Sequence, residues 1–205
     1  MDVTIIDCGI GNVKSVKRMF EAVDVKASVA SFPIEAHDAR RLVLPGVGAF
    51  DAGMSALNAG WREVLDELSI KRRIPTLGIC LGMQLLCRGS EEGRLEGLSW
   101  VAGEARRIDT GGDRSLKIPH MGWSEVMPTR DNPLIATAEG TQRFYHVHKF
   151  SVVCDDPDTE LATATYGRPF TTAVQRDNIF GVQFHPEKSH KFGMALMRRF
   201  GTLPC

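Results

Sequence analysis

No charge of either sign dominates this 205-residue chain, because Lys+Arg and Asp+Glu are both 25. A balanced surface gives no long-range field, which argues against a nucleic-acid partner or an acidic substrate. Long apolar runs are missing as well. Asp2 and Asp7 interrupt the N-terminal hydrophobic residues, so neither a signal peptide nor a membrane span is predicted, and the cytoplasm is the expected location. The five cysteines (Cys8, Cys80, Cys87, Cys154 and Cys205) are odd in number and include no Cys-x-x-Cys pair. They point to a reducing compartment and to no metal. Nor do the six histidines build a zinc pattern: His185 and His190 are five apart, and nothing nearby completes a ligand set. Gly9-Ile10-Gly11-Asn12 resembles a phosphate-cradling turn, yet it lacks the further glycine and later acidic partner of a nucleotide fingerprint. No cofactor is expected. Repeats, low-complexity tracts and linkers are also absent, so residues 1–205 read as one domain with a sizeable core.

The chemistry begins with Gly78-Ile79-Cys80-Leu81-Gly82. The apolar run Ile74 to Ile79 reads as a short buried strand, and Leu81 to Leu86 as the start of a helix. A nucleophile on the turn between them needs a strained backbone, and glycines two positions to either side remove the Cβ clashes that would forbid it. The turn also sets the sulfur at the positive end of a helix, which favours the attacking thiolate. A free cysteine is ordinarily just a small buried hydrophobe, but the flanking glycines argue against that here.

Such a nucleophile needs a base. Phe180 to Phe184 reads as a strand that ends in His185-Pro186-Glu187, where Glu187 can hold one ring nitrogen of His185 while the other faces the sulfur. Acyl transfer also needs N–H donors aimed at the developing oxyanion. One donor is assigned to the Leu42–Phe50 segment, whose Pro45-Gly46-Val47-Gly48 loop presents backbone amides near Val47 and Gly48. The other is the amide of Leu81, which follows the nucleophile.

Taken in order, the glycine-rich loop, Gly-Ile-Cys-Leu-Gly-Met-Gln and Phe-His-Pro-Glu resemble the class I, or triad, glutamine amidotransferases over essentially the whole chain. Within that class the chain is most similar to glutaminase subunits of imidazole glycerol phosphate synthase. The residues carrying this narrower match are Ile6 to Asn12, Pro45 to Gly48, Ile118 to Trp123 and Val147-His148. The resemblance implies a flavodoxin-like α/β fold, hydrolysis of L-glutamine to glutamate and ammonia, and a heterodimer with a synthase (cyclase) partner, a (β/α)8 barrel, that uses the ammonia. It makes Gln84 a ligand of the substrate, where the residue alone reads equally well as a surface glutamine. It also places His148-Lys149-Phe150 in the substrate-binding segment, although Lys149 and Phe150 depart from the family pattern of His-Ser-Tyr. Without the resemblance, His146 and His148 read as a half-buried strand pair. Trp123 is either a core tryptophan or a partner-facing anchor; the resemblance favours the anchor, with Asn12 and Met121 on the same interface.

Alternation of β-branched and helical patterns in the first half predicts a doubly wound, mostly parallel sheet with helices on both faces and Cys80 at the carboxyl ends of the strands. The second half changes character. Residues 100–108, 124–127, 144–153, 161–166 and 171–184 read as strands with short turns, an additional antiparallel segment, before a closing helix over 189–200. Two other readings stand beside the leading one: a related glutaminase that supplies ammonia for amidination of a bacterial surface sugar, and a flavodoxin-like cysteine hydrolase or redox sensor.

Overall fold

The fold is taken from a computed structural model that describes residues 2–136 and 140–205. Strand β1 (Val3–Ile6) is fully buried and lies between two parallel neighbours, β2 (Ala27–Ala30) and β3 (Leu42–Gly46). The sheet continues through β4 (Thr76–Cys80) to β11 (Ile179–Val182), both again parallel. Burial of both faces explains the near-continuous apolar runs of these strands. On one face, Val3, Ile5, Val43, Leu77 and Ile79 meet Val16 and Phe20 of α1 (Val13–Glu21) and Leu196, Met197 and Phe200 of α5 (His190–Gly201). On the other, Ile6, Leu42 and Leu44 meet α2 (Phe50–Asn58), α3 (Arg62–Asp66) and the one-turn α4 (Leu81–Leu85). The period of two in the strands thus feeds two separate apolar layers.

Beyond β11 the sheet turns antiparallel, running to β10 (Arg168–Arg176), β9 (Glu160–Tyr166), β6 (His120–Pro128) and β7 (Gln142–His148), while β8 (Phe150–Cys154) joins β5 (Gly103–Arg107) to β10. The expected 144–153 strand is two strands, broken at the exposed Lys149 where β7 leaves β6 and β8 joins a different partner. Strand β11 is antiparallel to β10, as expected, and forms the junction with the parallel half. It pairs in parallel with β4, Gly181 opposite Gly78 and Val182 opposite Ile79, and so carries the residues that follow it to the end of β4. Among the described residues, no helix is long and apolar enough to cross a membrane.

Candidate active site

Cys80 closes β4 and caps α4 with φ 55° and ψ −109°, the strained conformation that its flanking glycines predict. The reason for glycine at 82 is close approach: a Cβ there would lie 1.9 Å from the Leu44 carbonyl oxygen of β3. The α4 helix extends only from Leu81 to Leu85, so the electrostatic help it offers the sulfur comes from its first-turn amides more than from a long dipole.

The parallel register of β11 and β4 brings the His185 segment to the same edge. His185 is anchored by its own N–H to the Tyr145 carbonyl (2.9 Å), and its carbonyl accepts from Ser189 Oγ (2.7 Å). Its Nδ1 lies 2.8 Å from Glu187 Oε1, with each side chain only 4% exposed. Because the carboxylate only accepts, Nδ1 carries a proton and the other ring nitrogen is left for the sulfur. Burial opposes a charge on this imidazole, but hydrogen bonding and charge from Cys80 and Glu187 outweigh it and raise its pKa to about 9.

A cavity of about 460 Å³ opens over this pair. Cys80 and His185 line it together with Val47, Gly48, Leu81, Gln84, His148, Lys149 and Phe150, so every residue expected to bind substrate or oxyanion reaches one space. Glu187 sits behind His185, outside the lining. Asn12, Met121 and Trp123 also lie outside it. Asn12 is exposed and caps α1, its side chain accepting from the Ser15 amide. Met121 and Trp123 lie on the outward face of β6, with Trp123 38% exposed and stacked on His190 at 5.6 Å, which rules out a core tryptophan.

Three details of the site were not foreseen from the sequence. The Val47 amide, one of the two loop positions (Val47 and Gly48) expected near the oxyanion, donates to the Ile10 carbonyl. The Gly9–Asn12 turn is therefore seated on the Pro-Gly-x-Gly loop, and a Cβ on Gly11 would lie 2.6 Å from the Pro45 carbonyl oxygen. Second, the Phe150 carbonyl is already occupied, by His148 Nδ1 at 2.8 Å and Gln84 Nε2 at 3.3 Å. Gln84 is accordingly buried rather than a surface residue. Third, His146 is fully buried rather than half-buried, bonded to Thr172 Oγ1 and the Phe144 carbonyl. It clusters with His120 and His148 at ring separations of 5.1–5.5 Å. Burial holds all three below the usual histidine value, His148 at about 3, so they stay neutral and do not compete with His185 as bases.

Sequence reasoning missed Glu92 and Lys188, which place charges of both signs at the cavity wall, and Gln183, whose Nε2 lies 3.7 Å from the Cys80 sulfur. Gln183 had a signal, a polar residue inside the apolar Phe180–Phe184 run. Glu92 had none, since it comes from an irregular segment; its carboxylate also accepts from the Phe50 amide at 2.9 Å.

A thiol at a strained elbow and a histidine backed by a carboxylate meet at one pocket on a doubly wound sheet, an arrangement that suits cysteine-dependent acyl transfer. The chain belongs to the glutamine amidotransferase class-I family, whose model matches residues 4–202. It is 46% identical over 202 residues to imidazole glycerol phosphate synthase subunit HisH 2 of Pseudomonas aeruginosa, covering 98% of this chain and 99% of that protein. It is also 45% identical over 199 residues to subunit HisH 2 of Methanococcus maripaludis, covering 97% and 98% respectively. Among solved structures, a glutamine amidotransferase superposes with a TM-score of 0.73 at 14% identity, covering 98% of this chain and 97% of its own, and shares the fold. The PurLQS structure from Thermotoga maritima does so with a TM-score of 0.71 at 17% identity, covering 97% and 94%.

Proposed function

We propose that this chain is the glutaminase subunit of an imidazole glycerol phosphate synthase, acting in the cytoplasm as one amidotransferase domain. It hydrolyses L-glutamine to glutamate and ammonia, and the ammonia passes to a cyclase partner that forms imidazole glycerol phosphate and aminoimidazole carboxamide ribotide in histidine biosynthesis. The observation that carries the catalytic assignment is the convergence of Cys80 at φ 55° and His185 on one cavity, with Glu187 bonded to the imidazole from behind.

In this mechanism the Cys80 thiolate attacks the carboxamide carbon of glutamine. The C–N bond breaks as the His185 imidazolium gives its proton to the departing ammonia, which leaves a thioester on Cys80. His185, now neutral, takes a proton from water, and the hydroxide releases glutamate and restores the thiolate. Glu187 holds the ring in the Nδ1–H tautomer throughout. The charges at the cavity wall suit the two ends of an amino acid, with Glu92 facing the α-ammonium and Lys149 and Lys188 the α-carboxylate. The Gln84 NH2 is committed to protein carbonyls, so its Oε1 is the atom left to accept from substrate.

Leu81 supplies one oxyanion amide. The second, at Val47, is turned away towards Ile10, and this is the resting state of a gate. Gly48, at φ 108°, allows the peptide plane to swing. A (β/α)8-barrel partner docked over Trp123, Met121 and Asn12 releases it. The test of function is glutamate release with and without the synthase partner, in wild type and Cys80→Ala. The variant should lose glutamine-dependent activity but keep synthase activity with ammonium salts. An adduct of a glutamine-mimicking electrophile on Cys8 or Cys87 instead of Cys80 would overturn the assignment.

A further inference from the structure

The Phe150 carbonyl fixes the orientation of two buried amides in succession. A carbonyl can only accept, so the Gln84 group 3.3 Å from it must be the NH2. That same Nε2 lies 3.1 Å from the Gln183 side chain, and facing a donor, Gln183 must present its oxygen. The remaining end of the Gln183 amide, its NH2, then faces the Cys80 sulfur at 3.7 Å. Turning the Gln183 amide over would set two NH2 groups against each other in a fully buried position. The backbone leaves it no way out, because the Gln183 N–H is bound to the Thr172 carbonyl at 2.8 Å.

We infer that Gln183 is a positioning residue for the nucleophile: locked through Gln84 by the Phe150 carbonyl, it donates an N–H to the Cys80 sulfur and favours the thiolate over the thiol. A sulfur that receives an N–H is an acceptor, and a thiolate accepts far better than a thiol. A protonated sulfur can donate to the Val147 carbonyl, 3.9 Å away on another strand, and the Gln183 N–H competes with that state. Gln84 therefore has two duties, since the side chain proposed to accept from substrate also sets the donor that serves the nucleophile. The substrate role rests on the glutaminase reading; the effect on the sulfur does not.

Alkylation of Cys80 by iodoacetamide in the isolated chain, followed by peptide mass spectrometry, tests this without glutamine or a partner. Gln183→Leu should slow alkylation of Cys80 about tenfold at pH 7, and the deficit should close at high pH. Gln183→Glu, of the same size but acceptor-only when ionised, should slow it further. If either substitution prevents folding, Gln84→Met, which frees the Gln183 amide to turn, should give a smaller deficit of the same pH-dependent form. Wild-type rates at pH 7 in the folded variants would overturn the inference, and so would a deficit that persists at high pH, which would mean altered access instead of altered ionisation. Failure of the glutaminase reading would look different: no glutamate release by the wild type with its partner, but an intact alkylation profile.

Discussion

The His185 imidazole makes a quantitative prediction about pH. Its pKa rises from the usual 6.5 to about 9, which corresponds to about 3 kcal/mol of favourable interaction with the protonated ring. A group whose folded value lies above its unfolded value stabilises the fold in full below the unfolded value, here 6.5. That contribution is lost as pH rises through about 9. Glu187→Gln keeps an acceptor 2.8 Å from Nδ1 but removes the negative charge, so the penalty of burial is less well offset. The variant's His185 should titrate at least about one unit lower, as loss of a close opposite charge implies. Urea unfolding of wild type at pH 6 and pH 9.5 should reveal the lost stability, with a smaller difference between the two pH values in Glu187→Gln. Nitrogen-detected NMR of the His185 ring reads the titration itself. In turnover, the alkaline limb should fall near pH 9, where no imidazolium remains to protonate departing ammonia. A wild-type His185 titrating at or below 6.5, or an unchanged midpoint in Glu187→Gln, would refute the reasoning.

Other expectations are simpler to state. His185→Ala should lose more kcat than Glu187→Ala, by on the order of 10–100-fold, because base and orienter act as a unit but unequally; the reverse order would reject the roles. Gly82→Ala sets a methyl against the Leu44 carbonyl and should lower the unfolding free energy by about 3 kcal/mol, as overpacking does, while blunting Cys80 reactivity. Partner plus acceptor ligand should raise glutamate release roughly a hundred- to a thousandfold, the worth of one oxyanion donor. Equal turnover with and without the partner would end the idea of a gate, and unchanged partner affinity in Trp123→Ala would end the anchor.

The catalytic half of the molecule was legible because its chemistry is encoded locally. The strand–turn–helix around Cys80 and the His185-Pro186-Glu187 turn each state their geometry within a few residues, and the only long-range fact needed was that they meet. The register of β11 supplies that fact, and composition gave no hint that this strand, antiparallel to β10, would also pair in parallel with β4. The break at Lys149 was illegible for a related reason. Residues 144 to 153 look extended throughout, and only the exchange of partner strands from β6 to β5 and β10 divides them. Gln183 and Glu92 show two grades of difficulty. A glutamine within Phe180-Gly181-Val182-Gln183-Phe184 breaks an apolar pattern and could have been flagged. Glu92 on an irregular segment is one carboxylate among many until the fold places it at the cavity.

The Gly9–Asn12 turn gains the most from the structure. By pattern it was an incomplete phosphate loop, and the sequence reading gave it the task of facing the partner or the channel mouth. In the fold, Ile10 offers its carbonyl to the Val47 amide, Gly11 lets the turn lie against Pro45, and Asn12 ties the far end to the first turn of α1. One short segment thus joins a helix, the oxyanion loop and an exposed surface. The proposed gate requires a second arrangement, with the Val47 N–H turned from Ile10 to the oxyanion, and Gly48 beside it eases the turn of the peptide plane. A partner that presses on Asn12 need only move Ile10 away from Val47 to bias the choice. The turn's task within the fold is thus to hold a backbone amide of its own protein through the Ile10 carbonyl.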